Sequence, residues 1–161
     1  MSVDERLSRL QNFIYDEARL IDEKRFDEWF ELFTDDASYW MPLARGQKLS
    51  DVHNSLFYED KLLLKVRIER LKRPSAFSQH LPSFCQHVLE APRLEAALGT
   101  AERPVMRTPF VYFESRGEEQ LSLAGVVYHH LIDENGRLRI RVKQIELLNR
   151  TAALPSIQMF L

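Results

Sequence analysis

The stretch QNFIYDEARLIDEKRFDEWFELFTDDASYWMP, Gln11 to Pro42, decides the fold. Apolar residues recur at Leu10, Ile14, Ala18 and Ile21, and spacings of three and four place them on one face of a helix. Phe26, Trp29, Phe30 and Phe33 make a second, shorter and more aromatic face. Asp22 and the charged step Glu23-Lys24-Arg25 separate the two, and Asp22 is expected to accept from the free N–H groups that open the second helix. After Thr34-Asp35-Asp36 the pattern becomes the β-prone Ala37-Ser38-Tyr39-Trp40-Met41, closed by Pro42, which cannot donate to a ladder. Two helices meet at a corner and run into a first strand.

Upstream, Ser2 and Glu5 have the spacing of a capping box, so helix one is predicted to begin there and run to about Ile21, with helix two over roughly Arg25 to Phe33. Downstream, Leu43 to Asn54 carries Gly46, Ser50 and Asp51 and little periodicity, which reads as a surface loop. Ser55 to Leu71 is rich in helix formers and is predicted as a third helix ended by Pro74; Leu64, Ile68 and Leu71 form its stripe, with Leu56, Leu63 and Val66 beside it.

From Phe84 onward strands take over. Expected spans are Cys85 to Ala97, interrupted at Pro92, then Arg103 to Arg116, Gln120 to Ile132 and Leu138 to Asn149. Asn135-Gly136 between alternating runs marks a tight hairpin, so the last three strands form a meander. In the final strand Leu138, Ile140, Val142 and Leu148 share one face and Arg137, Arg139, Arg141 and Lys143 the other, which is therefore expected to be basic. The strand before it is apolar on both faces, Leu121, Leu123 and Val127 opposite Ala124, Val126 and Tyr128. A sheet covered by helices on one side does not require that, so it either curls around an apolar interior or meets another subunit. The order of elements gives an α+β cone, residues 1–161 forming a single domain in which a strongly bent, mostly antiparallel sheet wraps around three helices. The apolar tail Ile157-Gln158-Met159-Phe160-Leu161 is expected to be pinned in the mouth of the cone or in an interface.

Composition narrows the function classes. A chain of 161 residues with 45% hydrophobic content buries a sizeable core without a metal or disulfide. One cysteine, Cys85, excludes an internal disulfide and is compatible with a reducing compartment. With no signal-like apolar opening and no membrane-length apolar run, a cytoplasmic location is expected. A net charge of -2 offers no global attraction to nucleic acid. Phosphate loops, nucleophile elbows, paired Cys-x-x-Cys units and dinucleotide fingerprints are absent from the sequence.

Several motifs together resemble one family, the small (β) subunit of aromatic-ring-hydroxylating, Rieske-type dioxygenases. They are Tyr15-Asp16-Glu17-Ala18-Arg19-Leu20-Ile21-Asp22, Phe26-Asp27-Glu28-Trp29, Phe33-Thr34-Asp35-Asp36-Ala37 and Tyr39-Trp40-Met41-Pro42. The likeness continues in Arg67-Ile68-Glu69-Arg70-Leu71, Leu81-Pro82-Ser83 with His87, Phe113-Glu114-Ser115-Arg116-Gly117, and Leu148-Asn149 followed by Ile157 to Leu161. The closing part is most similar to the benzoate, toluate and anthranilate branch. The resemblance implies a nuclear-transport-factor-2-like (cystatin-like) cone and a trimer of small subunits within a three-plus-three complex. It also implies that the large (α) subunit holds a Rieske two-iron two-sulfur cluster and a mononuclear iron, the small subunit being mainly structural. The chain departs from the family pattern at Ser83-Phe84-Cys85-Gln86-His87, at His129-His130 and at Pro109 inside a strand.

The residues agree with a chain that leaves chemistry to its partner. Cys85-Gln86-His87 is half a Rieske ligand set, and the other half needs a second cysteine. His129 and His130 are adjacent in a strand and point to opposite faces, so they cannot share one ion; His87 with either remains open across strands. No catalytic residue, cofactor or metal is expected in this chain. Tyr39, Trp40, Arg137, Arg139, Arg141, Phe160 and Leu161 are the candidate interface residues. The alternative is a free-standing cone enzyme of the isomerase or dehydratase type, or a small-molecule binding protein with its site inside the cone, and Tyr15, Asp35, His87 and His129 are its candidate residues.

Overall fold

The computed structural model describes residues 1–49, 54–73, 81–154, 157 and 159–161. Pro74, Ser50, Asp51 and Gln158, named above, lie outside them.

Helix α1 spans Val3–Asp22, and its capping box is formed: the Glu5 N–H donates to the Ser2 hydroxyl and the Ser2 N–H to the Glu5 carboxylate. Its stripe of Leu10, Ile14, Glu17, Ala18 and Ile21 is buried. The corner that follows differs from expectation. Asp22 does not cap helix α2 (Phe26–Phe30), which has no side-chain cap. The turn is closed by the backbone instead, Lys24 N–H donating to Ile21 C=O and Arg25 N–H to Leu20 C=O, with Lys24 at φ 56° where glycine usually sits. Asp22 is left free to reach another element.

Helix α2 is also shorter than predicted, because Phe33 to Asp36 join strand β1 (Phe33–Pro42). Asp35 and Asp36 are thus strand residues. The third helix is corrected in the same sense. Ser55–Asp60 is strand β2, paired antiparallel to β1, and only Lys61–Lys72 is helix α3, capped where Asp60 accepts from the Leu63 N–H at 2.9 Å. Leu64 and Ile68 are buried as predicted, whereas Leu63 and Val66 are exposed.

Strands β3 (Ser83–Leu89), β4 (Arg93–Leu94), β5 (Val105–Arg116), β6 (Glu119–Glu134) and β7 (Arg137–Leu147) complete one sheet in the order β2-β1-β7-β6-β5-β3, with β4 also on β5. All neighbours are antiparallel except β1 and β7. Asn135 (φ 55°) and Gly136 (φ 84°) make the predicted hairpin. Pro109 is tolerated because its carbonyl accepts from the Glu90 N–H. Its ring nitrogen therefore faces the side where β3 has ended and β4 has not begun.

A bulge in β7 overturns one expectation. His130 pairs with Val142 and Leu131 with Ile140, so Arg141 is an extra residue and the inward face changes parity there. Leu138 and Ile140 point in before it; Lys143, Ile145 and Leu147 point in after it. Lys143 is a core residue, 2% exposed, and not part of a basic outer face.

The interior is filled. Phe160 packs against Trp29, Phe26 and Tyr39 at ring-centroid distances of 4.4, 5.7 and 5.8 Å, and the Arg67 guanidinium lies 4.2 Å over its ring. The Leu161 N–H donates to the Tyr39 hydroxyl at 2.9 Å. Of the two places expected for the tail, its last residues occupy the one inside the cone.

Candidate functional site

Polar side chains are placed in this interior by three elements. Glu17 arrives on the apolar stripe of α1, His129 on the inward face of β6, and Lys143 on β7 because of the bulge. The Glu17 carboxylate accepts from Lys143 Nζ at 2.7 Å and from Trp29 Nε1 at 2.5 Å, with His129 Nε2 3.4 Å away. Burial alone would favour the neutral acid, but Lys143 and His129 together hold the Glu17 carboxyl well below the usual carboxylate range. Burial lowers the pKa of His129, so it is neutral. The result is a net-neutral Glu17–Lys143 pair with every carboxylate contact used.

A second group lies at the rim. Asp22 Oδ1 is 2.6 Å from His87 Nδ1 and 3.5 Å from Cys85 Sγ, while Oδ2 accepts from the His87 N–H at 3.0 Å and Gln86 Nε2 at 2.9 Å. Burial and the Asp22 charge push the Cys85 thiol up to about 12, so it is a protonated thiol. Between the two groups is a void of about 10 Å³ lined by Ile14, Glu17, His87, Phe110, His129 and Lys143. That is room for one water and not for an aromatic ring.

Of the four residues proposed for a cone enzyme, only His87 and His129 face this void. Tyr15 is exposed on α1. Asp35 is fully exposed, 3.1 Å from Lys61 Nζ. His130 points away from His129, as expected, and contacts Gln144 at 3.2 Å.

The interface candidates divide similarly. Tyr39, Trp40, Phe160 and Leu161 are buried by the chain itself. Arg139 donates to the Phe33 carbonyl at 2.5 Å and Arg141 lies 3.5 Å from Asp36, leaving Arg137 exposed. Glu17 and Lys143 were missed. Glu17 had a signal, a carboxylate three residues after Ile14 and four before Ile21 on an apolar stripe; Lys143 had none, since strand alternation sends it outward.

A bent sheet closed over three helices, with its cavity filled, defines a cone of the nuclear-transport-factor-2-like type. The β subunit of benzoate 1,2-dioxygenase from Burkholderia mallei superimposes with a TM-score of 0.73 at 24% identity, over 94% of this chain and 95% of its own. Residues 16–153 match the family described as ring hydroxylating beta subunit, and the chain belongs to that family. It is 29% identical over 139 residues to the small oxygenase component of the p-cumate 2,3-dioxygenase system of Pseudomonas putida, covering 85% of this chain and 76% of that protein. To the benzene 1,2-dioxygenase subunit β of Pseudomonas putida it is 27% identical over 155 residues, covering 89% and 79%.

Proposed function

We propose that the chain is a structural β subunit that trimerises and positions three large subunits of an aromatic-ring-hydroxylating dioxygenase, in a three-plus-three complex in the cytoplasm. β subunits of this family pair with a large α subunit, where the redox cofactors sit. In this reading those are a Rieske two-iron two-sulfur cluster and a mononuclear iron. A Rieske centre does not fit the residues here, since it takes two cysteines and this chain has one.

The observation that carries the proposal is the outer face of the sheet. Phe84, Val88, Val111 and Phe113 are exposed there at 60, 53, 36 and 38%. Val88 pairs with Val111 and Val111 with Ala124, so the apolar surface runs across three strands. Apolar surface this continuous marks a contact with another protein. A separate open groove of about 600 Å³ lies at the opposite edge of the sheet, between β2 and α3, walled by Leu56, Phe57, Leu63, Val66 and Leu154 beside Glu59, Arg67 and Arg70. No helix is long and apolar enough to cross a membrane among the described residues.

The test is sizing of the chain alone and co-expressed with its large subunit. Trimers, and a red-brown complex with the large subunit, are expected. A monomer that ignores the large subunit, or that turns over substrate by itself, removes the proposal.

A further inference from the structure

We infer that Asp22, Cys85 and His87 form a binding site for a borderline-soft divalent cation of the zinc class. Cys85 and His87 are two residues apart on β3 and face inward together, and the last turn of α1 brings Asp22 over them. One donor atom from each residue lies within 4.8 Å of the others. The carboxylate is already oriented: Oδ2 is held by the His87 N–H and the Gln86 side chain, which turns Oδ1 toward the sulfur and the imidazole.

A sulfur, a nitrogen and one oxygen suit zinc or cobalt and not magnesium or calcium, which take oxygen shells. Tetrahedral bonds of about 2.0–2.3 Å put donors roughly 3.2–3.7 Å apart. The Sγ to Oδ1 distance of 3.5 Å meets that, and the Nδ1 to Oδ1 hydrogen bond of 2.6 Å has to open by roughly 0.6–1.1 Å. A solvent-open cleft lined by Tyr15, Arg19, Asp22, Glu23, Gln86 and His87 gives the ion a way in and a water for its fourth position.

A second, independent observation concerns the other side of the His87 ring. Its Nε2 is buried without a partner, and so is His129 Nδ1; both residues line the same small void. With the His87 proton on Nδ1, donated to Asp22, and the His129 proton on Nε2, donated to Glu17, both orphaned nitrogens are acceptors and neither can serve the other. An ion on Nδ1 moves the His87 proton to Nε2. A donor then faces an acceptor across the void, to be bridged by the single water it can hold. The thiol proton of Cys85 leaves as the sulfur binds, so one proton is released per ion.

Cobalt(II) titration of the metal-stripped full chain tests this. The expected result is one ion per chain, a thiolate-to-cobalt charge-transfer band, release of about one proton per ion, and displacement by zinc. Cys85→Ser loses the band, and Asp22→Asn binds roughly 10–100-fold more weakly. Should Cys85→Ser fail to fold, alkylation of Cys85 in the unmodified chain supplies the second reading, and zinc must slow it. Absence of the band in folded protein, unchanged affinity in Asp22→Asn, or alkylation indifferent to zinc overturns the inference.

Discussion

At the scale of single residues, the buried Glu17–Lys143 pair is the most consequential arrangement in the interior. Removing one partner strands a charge, whereas removing both does not. Lys143→Met is expected to cost about 3–5 kcal/mol in denaturant unfolding. Adding Glu17→Gln, which keeps an acceptor for Trp29 Nε1, is expected to recover most of that loss; simple addition of the two single effects would show that the charges are uncoupled. His129 sets a pH limb. Facing Glu17, Lys143 and His87 from its buried position, it has a folded-state pKa below its ordinary 6.5, and burial moves His130 the same way. The unfolded chain therefore binds more protons just below pH 6.5, so stability is full above that value and falls as pH drops. The slope is up to about 1.4 kcal/mol per pH unit per histidine. Glu17 adds its own loss once pH falls through its ordinary 4.5, and that loss grows as pH drops further. Stability measured from pH 7.5 to 5 is expected to decline, less steeply in His129→Gln; equal slopes in the two proteins would remove His129 as the cause.

At the scale of elements, close backbone approach and pairing decide what the segments become. Gly125 in β6 lies where β7 comes so near that an added Cβ would sit 2.3 Å from the Glu146 carbonyl oxygen. Backbone cannot yield as a side chain can, so Gly125→Ala is expected to cost more than about 2 kcal/mol in urea unfolding. A loss under about 0.5 kcal/mol would mean that the strands separate freely there. Pairing also explains why Ser55–Asp60 is a strand. Its residues are acceptable to a helix, but β1 offers a free edge, and Trp40 Nε1 donates to the Ser55 hydroxyl at 2.6 Å. The edge strand β3 is managed in turn by Asp22, whose carboxylate takes the His87 N–H that another strand could have used.

At the scale of the whole molecule, the cone spends its interior on its own packing and leaves Phe84, Val88, Val111 and Phe113 exposed on its outer face. Trp29, Tyr39, Phe160 and the Glu17–Lys143 pair fill the interior. The proposed assembly has a sharper test on that face. Phe113→Glu, at a site already 38% exposed, is expected to change stability by less than about 1 kcal/mol while abolishing the trimer or the complex in the same sizing experiment. A complex that forms unchanged would move the interface elsewhere.

Much of this was legible in the chain itself. The α1 stripe with its capping box, the Asn135-Gly136 hairpin, the α+β order of elements and the shortage of cysteine for a Rieske centre are local facts, set by periodicity, turn chemistry and residue count. The tertiary structure alone decided that Ser55–Asp60 pairs, that Asp22 leaves its helix corner for β3, and that Lys143 turns inward to Glu17. Each depends on a partner distant in sequence. A bulge shifts strand parity by one residue, and nothing in the residues that flank it records the shift; the register of β7 against β6 does.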